Sequence, residues 1–305
     1  MANIEQTASS MPRARGRKPI HVKRQEQNAL DELRKKRKRL VSVLYQEISE
    51  IELIEHLRMM VLIIRNLTFV RANDHHIIKC QRLVDILTSL FVDLVDQEIT
   101  LNCLDIITNI AKQLILSELN CGDLIVQALF TLFSSNSYLF FGPEQDKLYP
   151  RQQIVDQCIE CLRRLSLSSG NEEYLEKISD RQIQVLINLL ICKNLETREG
   201  VLEILFTISD RKTSLKVKIA SQKRCIERLI GLIATGSTTP NEEKISKFAA
   251  LTLANLNLAP SNRQYIVPYE QELALIASTD EKTCKIIAEI LSDLDMYQVY
   301  AATST

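Results

Sequence analysis

Apolar residues recur at helical spacing along most of this 305-residue chain. From about Gln25 they advance by three, seven and four positions, at Leu30, Leu33, Leu40 and Leu44, which places them on one face of a helix. Trp is absent, aromatic residues make up 5%, and Gly and Pro number only seven each. Sheets favour aromatic residues and frequent turns. We therefore predict an all-α chain.

An aliphatic helix that ends in a short polar turn occurs five times. The last aliphatic residue of each segment, here called its anchor, follows the previous anchor by 43, 55, 43 and 48 residues. A period in the low forties is typical of armadillo and HEAT arrays, in which stacked repeats bury one another's apolar faces. The two long intervals contain Ser134–Pro150 and Gly236–Pro240, whose compositions indicate inserted loops. The five segments are Val61–Leu67, Cys103–Ile110, Ile159–Leu165, Val201–Ile208 and Ala250–Leu256.

Three of the five units carry an asparagine six residues after the anchor, namely Asn73, Asn171 and Asn262. Asn tolerates left-handed backbone, and its side chain can cap the start of a helix. The other two units have Leu116 and Ser214 at this position. We expect these asparagines to form tight turns and to cap the helix that follows.

Charge is unevenly distributed, although the whole chain is neutral. Residues 1–40 contain 12 Lys or Arg and 4 Asp or Glu, a net charge of +8, so the remainder carries −8. Such a basic segment suits polyanions. We predict a disordered basic arm at 1–24, a basic helical lead-in at 25–56, an armadillo-like repeat domain at 57–295 and a tail at 296–305. The fold class is thus an armadillo/HEAT-like helical repeat solenoid with a disordered basic N-terminal arm.

The arm contains a segment similar to an AT-hook, the minor-groove element centred on Arg-Gly-Arg-Pro. Gly lets the backbone lie deep in a narrow groove, and flanking basic side chains extend along the A·T floor. Here Lys18 separates that core from Pro19, and the alternative is a solubilising basic tail. DNA contact of this kind would be weak and salt-sensitive. The candidate DNA-binding residues are Arg13, Arg15, Gly16, Arg17 and Lys18.

A run of six basic residues follows in the lead-in. Such runs serve as nuclear import signals or as phosphate-binding patches. The alternative is a solvated helix face, but six consecutive like charges repel one another and cannot share one face. We predict import into the nucleus, directed by Arg34, Lys35, Lys36, Arg37, Lys38 and Arg39.

The sequence contains no recognisable constellation for catalysis or metal binding. It has no phosphate-binding glycine loop and no hydrolase or metalloprotease motif. Cys158 and Cys161 are spaced as C-x-x-C, but no second pair lies nearby, so we expect core thiols. Adjacent His75 and His76 point apart on a helix. We expect no secretory leader before the eight cysteines, because the first residues are polar and then basic, and the apolar run at Met59–Ile64 is too short to span a bilayer. We expect reduced thiols, no cofactor, no small-molecule substrate, no membrane contact and no enzymatic activity.

The segment from Ala249 to Val267 resembles an armadillo unit. In that family the third helix of each repeat lines a groove, and an Asn near its end holds the main chain of a bound peptide. The resemblance places Asn66, Asn109 and Asn255 at that position, with Arg164 and Thr207 in the other two units. The family's companion Trp is missing throughout, which argues against peptide capture of the importin type.

A closer resemblance covers about residues 55–295. The chain is similar there to the armadillo-like C-terminal region of the Osa-type, ARID-containing large subunit of SWI/SNF (BAF) chromatin remodellers. The order and spacing of the motifs carry this likeness more than any one motif. The motifs are Arg65–Phe69 with Asn73-Asp74, Leu87–Phe91, Glu160–Ser166 with Asn171, Arg198–Leu205, Ile219–Lys223, Leu229–Ile233 and Ala249–Asn262.

This resemblance implies a nuclear, non-catalytic scaffold that holds other remodeller subunits, including the ATPase. The family's ARID domain has no counterpart in the chain, so residues 12–39 would supply any contact with DNA. An armadillo-like subunit of an RSC-type remodeller is an alternative. So is a free-standing armadillo adaptor that binds extended peptides in transport or signalling. The aromatic run Tyr138–Phe141 in the first expected insert could be an interface or a lid.

Overall fold

The computed structural model describes residues 35–36, 50–93, 96–137, 149–235 and 239–303. The chain divides into two compact units, Met1–Leu57 and Arg58–Thr305. In the first unit, the described residues 35–36 and 50–57 are helical. The predicted disordered arm at 1–24 lies outside the described residues, as does most of the lead-in. Throughout the described ranges all regular structure is helical, which confirms the all-α prediction.

Fifteen α-helices are described over these ranges, several of them preceded by a single 3-10 turn. In chain order they are α1 (Glu50–Thr68), α2 (Asp74–Lys79), α3 (Gln81–Asp93), α4 (Gln97–Ile110), α5 (Gly122–Ser137), α6 (Tyr149–Leu167), α7 (Glu172–Glu176), α8 (Asp180–Leu189), α9 (Leu195–Arg211), α10 (Thr213–Ala220), α11 (Cys225–Ala234), α12 (Pro240–Asn257), α13 (Arg263–Ile266), α14 (Glu270–Thr279) and α15 (Cys284–Thr303).

The second unit is built from helix triplets, each with a short first element, a second helix and a third helix. The third helices are α4, α6, α9, α12 and α15, and each of the last four packs against the third helix before it. The second helices α3, α5, α8, α11 and α14 pack on the third helix of their own repeat. Four of the five anchors lie near the ends of the third helices α4, α6, α9 and α12. The first anchor lies near the end of α1, which occupies the place of a third helix before α4. The predicted repeat is therefore confirmed.

Side-chain caps fix where several third helices begin. The Asp96 carboxylate accepts a hydrogen bond of 2.9 Å from the Ile99 N–H at the start of α4. Before α12, Thr239 and Glu242 form a reciprocal capping box, and Pro240 takes the first helical position, where its missing N–H costs nothing. These caps supply acceptors for N–H groups that the first turn of a helix leaves without partners.

The two expected inserts are shorter than predicted. Helix α5 extends to Ser137 and α6 begins at Tyr149, so both ends of Ser134–Pro150 are helical. Pro150 lies in the first turn of α6, where proline is tolerated. Between α5 and α6, residues 138–148 lie outside the described residues. Between α11 and α12 this holds for residues 236–238, and Pro240 of the second expected insert is the first residue of α12. Helix α15 likewise extends to Thr303, through most of the segment predicted to be a tail.

The cysteines of the C-x-x-C pair belong to the core, as expected. Cys158 and Cys161 on α6 are fully buried, and neither forms a disulfide. Burial raises the pKa of the Cys161 thiol to about 12. A thiol with so high a pKa is neither a nucleophile nor a ready metal ligand at neutral pH. Their role is therefore packing.

The three repeated asparagines act differently from the prediction. Each side-chain amide donates to the carbonyl of its own anchor, six residues earlier: Asn73 to Leu67 at 2.9 Å, Asn171 to Leu165 at 3.1 Å and Asn262 to Leu256 at 2.9 Å. None of the three side chains caps the following helix, and their φ values are −84°, −102° and −84°. The expectation of left-handed N-caps was wrong. The last carbonyls of a helix lack the usual donors four residues on. Each anchor carbonyl accepts a backbone N–H three residues on, and the asparagine amide adds a second donor.

Candidate partner-binding surface

The predicted groove residues lie where neighbouring third helices meet. The Asn109 amide on α4 donates to the Thr68 hydroxyl at the end of α1, at 2.8 Å. Arg164 on α6 donates to the Thr108 carbonyl on α4 at 3.0 Å. The Asn255 amide on α12 donates to the Ser209 hydroxyl on α9 at 3.1 Å. We call this series of bonds between the last turns of successive third helices the last-turn ladder.

The ladder satisfies groups that a helix end leaves open. The Thr68 and Ser209 hydroxyls each donate back to a carbonyl three residues earlier, at 2.6 and 2.8 Å, while they accept from the next repeat. Thr207, which replaces Asn in its unit, instead donates to the Glu203 carbonyl within its own helix at 2.8 Å. One amide N–H of Asn109 and of Asn255 is therefore already used inside the protein, which fixes the orientation of each side chain towards the neighbouring helix. The contacts of Asn109, Arg164 and Asn255 thus hold neighbouring repeats together.

Ion pairs also link the third helices. Arg163 on α6 contacts Glu160 at 2.7 Å and Glu203 of α9 at 2.8 Å, and Arg164 contacts Glu160 at 2.5 Å. Burial acts to raise the pKa of Glu160, but the hydrogen bonds from the two arginines hold it below its ordinary value. A further ion pair joins Arg65 of α1 to Asp105 of α4 at 2.6 Å. Much of this surface charge is therefore neutralised within the protein.

A cleft of about 230 Å³ opens between α6 and α9. Asp156 lies in it and accepts hydrogen bonds from the Thr197 hydroxyl at 2.7 Å and from Gln152 at 3.0 Å. Burial raises the pKa of Asp156 above its ordinary value. Glu196 is exposed at the rim, and Gly200 lets α9 approach α6. Three of the seven residues that line the cleft are acidic, namely Asp156, Glu160 and Glu196.

Helix α1 carries a concentration of exposed apolar side chains, within and just after the apolar run Met59–Ile64 that was considered above only as a membrane span. Met59, Met60, Ile63 and Leu67 are between 48% and 62% exposed. Phe69, directly after the helix, is 63% exposed. Clustered apolar exposure of this kind marks protein-interaction surfaces. One signal was available, because α1 carries the first anchor of the series, and terminal repeats are atypical.

The basic motifs lie almost wholly outside the described residues. This holds for Arg13, Arg15, Gly16, Arg17 and Lys18, and for the run at 34–39 apart from Lys35 and Lys36. Those two lysines are helical and exposed. The aromatic run Tyr138–Phe141 is also outside the described residues. The roles proposed for these segments therefore remain predictions.

Two further expectations concern metals and membranes. Over the described ranges, no group of three or more His, Cys, Asp or Glu side chains is arranged to hold a metal ion. The rings of His75 and His76 meet edge to face, with centroids 5.8 Å apart. Within the same part of the chain, no helix has the length and apolarity needed to cross a bilayer.

Comparison with solved structures identifies the class to which this fold belongs. A designed armadillo repeat protein, YIII(Dq)4CqI, superposes with a TM-score of 0.59 at 16% identity, covering 79% of this chain and 94% of the designed one. A second designed armadillo repeat protein, solved in complex with the peptide (KR)4, gives a TM-score of 0.55 at 15% identity, covering 81% and 95%. The chain has the armadillo-repeat fold.

Similar natural sequences carry the same repeat in their names. The chain is 26% identical over 135 residues to Armadillo repeat-containing protein LFR of Arabidopsis thaliana, across 44% of this chain and 29% of that protein. It is 22% identical over 135 residues to the protein of the same name from Oryza sativa subsp. japonica, with the same coverage. The chain thus spans less than a third of the length of these curated relatives. No family model matches the sequence.

Proposed function

We propose that this chain is a non-catalytic architectural subunit of a SWI/SNF-type chromatin-remodelling complex in the nucleus. Its armadillo repeats would hold other subunits, including the ATPase, and its basic arm would serve nuclear import or contact DNA. One structural observation favours a scaffold over a peptide groove. The Asn109, Arg164 and Asn255 side chains, which would have to hold a peptide main chain, already bond neighbouring helices.

The assignment to a remodeller is supported by the ordered motif series. Its segments fall on corresponding elements of successive repeats: Glu160–Ser166 and Ala249–Asn262 include the ends of third helices, and Leu87–Phe91 and Leu229–Ile233 lie in second helices. Solenoids of this kind present extended surfaces built from many repeats, which suits assembly with several subunits. The exposed apolar residues of α1 give one such surface the character of an interface.

Affinity purification of the tagged full chain from nuclear extract tests this proposal. We expect a remodeller ATPase and core subunits in stoichiometric amounts after a high-salt wash. Recovery of transport receptors or their cargo alone would refute the assignment. A variant lacking residues 1–40 separates arm from body, and we expect it to retain the subunits while losing DNA affinity and nuclear accumulation. If it loses the subunits and keeps DNA affinity, the two roles have been assigned the wrong way round.

A peptide adaptor is the second candidate, and the cleft at Asp156 is the observation that favours it. A designed armadillo protein of similar fold was solved with the basic peptide (KR)4, and Glu196 offers an exposed carboxylate at the cleft rim. The discriminating measurement is titration of the full chain with (KR)4. The scaffold proposal predicts no saturable binding, because Arg163 and Arg164 already occupy the Glu160 carboxylate. Saturable binding that Glu196→Gln weakens would favour the adaptor.

A further inference from the structure

Three side chains on helix α1 are exposed to solvent, although the equivalent side chains in the following third helices are buried. Met60, Ile63 and Leu67, here called the α1 stripe, are 51%, 58% and 48% exposed. When the third helices are aligned on their anchors, none of the equivalent residues is more than 1% exposed. Those equivalents are Cys103, Ile106 and Ile110 in α4, Cys158, Cys161 and Leu165 in α6, Val201, Ile204 and Ile208 in α9, and Ala249, Thr252 and Leu256 in α12.

Contacts within the repeats show what covers this face elsewhere. Gly200 of α9 occupies the position of Met59, and a Cβ added there would lie 2.7 Å from Ile159 Cγ2 of α6. Phe248 of α12 occupies the same position, and its ring centroid is 5.8 Å from that of Phe206 on α9. The covering element in both cases is therefore the third helix of the preceding repeat.

The same holds for the position of Ile63. Its counterpart in α6 is Cys161, which is fully buried on a helix that packs against the preceding third helix, α4. One turn further along, Asn109, Arg164 and Asn255 donate to the last turn of the helix before them. Asn66 stands at this position in α1 and is exposed. Among the described residues of the second unit, no helix lies on this face.

Successive third helices are parallel, which fixes the direction of any helix that takes this place. Arg58 near the start of α1 pairs with Asp96 at the start of α4, at 2.7 Å, and Asn109 meets Thr68 where both helices end. The two arginines near the stripe, Arg58 and Arg65, both form ion pairs on the side of α1 that faces α4, with Asp96 and Asp105. From Met59 to Leu67 the face opposite α4 is apolar, with the amide of Asn66 at its carboxyl end.

We propose that the α1 stripe is the docking site for one amphipathic helix of a partner protein. That helix lies parallel to α1 and presents an uncharged face of aliphatic or small residues. Its last turn ends beside Asn66, which donates to a carbonyl there as Asn109 does to Thr68. Met59 and Met60 suit this role because methionine adapts to irregular apolar surfaces. The inference deepens the scaffold role proposed above and rests on it, but it is independent of which assembly the chain joins.

A purified peptide tests the proposal without a cell extract. Leu195–Lys212 is a suitable probe, because α9 covers this face of α12 within the chain and the segment contains no Cys. We expect the fluorescein-labelled peptide to bind the full-length chain in anisotropy titrations. Ile63→Glu should weaken binding at least about tenfold, because it buries an unpaired charge. Asn66→Ala should weaken it a few-fold, and Leu275→Glu, at a side chain 64% exposed on α14, should leave it unchanged.

Methionine oxidation gives a second readout at the stripe. We expect peroxide to oxidise Met59 and Met60 readily in the free chain and slowly when the probe peptide saturates it, as measured by mass spectrometry. Circular dichroism should show that Ile63→Glu keeps its helix content, since Ile63 is exposed.

Three outcomes would overturn the proposal. The first is equal peptide affinity for wild type and Ile63→Glu, or none for wild type. The second is protection of both methionines in the free chain. The third is a dimer that Ile63→Glu dissociates, which would make a second copy the occupant. Since the assay uses only purified components, its failure is distinguishable from a failure to co-purify remodeller subunits.

Discussion

Replacing Asn171 by alanine should destabilise the protein more than any other change to the repeated asparagines. Its side chain is fully buried and forms three hydrogen bonds to backbone. The amide nitrogen donates to the carbonyls of Leu165 at 3.1 Å and Leu114 at 3.0 Å, and the amide oxygen accepts from the Leu116 N–H at 2.8 Å. Alanine would remove all three hydrogen bonds, and the Leu165 carbonyl would keep only its 3.4 Å bond from the Ser168 N–H.

Each such loss costs about 1 kcal/mol, so we expect Asn171→Ala to lower the free energy of unfolding by about 3 kcal/mol. For a unit of this size that corresponds to a fall in Tm of about 6–12 °C. Thermal and urea unfolding followed by circular dichroism at 222 nm would measure it. Hydrogen exchange should also become faster in the peptide that contains Leu116, whose N–H loses its acceptor.

The other two asparagines provide matched controls. Asn262 is equally buried but forms only the bond to Leu256, so Asn262→Ala should cost about 1 kcal/mol. Asn73 is partly exposed, and water can replace its single bond to Leu67, so Asn73→Ala should cost about 0.5 kcal/mol. The reasoning would be refuted if Asn73→Ala destabilised the chain as much as Asn171→Ala, or if all three variants unfolded with wild type.

Three further changes test packing, backbone strain and charge burial. Gly200→Ala should destabilise the fold by about 1 kcal/mol net, because the clash with Ile159 outweighs the better helix propensity of alanine. Arg224 has a φ of 60°, so Arg224→Gly should stabilise the fold by about 0.5–1 kcal/mol. Burial raises the pKa of Asp156, so its ionised form is disfavoured in the fold. The stability of Asp156→Asn relative to wild type should therefore be higher at pH 7 than at pH 3, and this gain should shrink as the pH falls through that raised pKa towards 3.8. A loss of hydrogen bonds from Thr197 and Gln152 adds a cost that is present at both pH values.

Urea titrations measure all three, and each has an internal comparison. Gly200→Ala should become stabilising in an Ile159→Ala background, and the same sign in both backgrounds would show that the contact is not tight. Arg224→Val should destabilise by about 1 kcal/mol, since β-branched residues are strained at positive φ; a neutral effect would contradict the argument. A gain from Asp156→Asn that stays constant from pH 7 to pH 3 would exclude carboxylate burial as its cause.

The sequence was sufficient for the repeat, because anchors such as Leu165 and Leu256 are fixed by helical periodicity and by the need of each repeat to bury an apolar face. The sequence also allowed us to predict that Cys158 and Cys161 are buried core thiols, because their neighbours are aliphatic. The direction of the asparagine caps was not predictable in this way. An Asn between two helices can accept from the start of one or donate to the end of the other, and only the turn geometry decides.

The sequence also could not predict that Asn109 and Asn255 form hydrogen bonds with the preceding third helix. Their acceptors, Thr68 and Ser209, lie more than forty residues away in the chain. The exposed α1 stripe was missed for a different reason. Met60, Ile63 and Leu67 have the same periodicity as their buried counterparts, and exposure depends on whether a neighbour is present. Periodicity reports which face is apolar, but not whether that face is covered.

The position of Asn171 has a consequence for how the chain folds. Its three bonds join the end of α6 to the segment before α5, so one side chain ties consecutive repeats near the middle of the series. In repeat proteins, folding can begin in any repeat and spreads from it to the neighbouring repeats. We expect the repeats around Asn171 to form the folding nucleus, and the terminal repeats to join later and open first. Helix α1 would then gain its full stability only when a partner helix completes its packing.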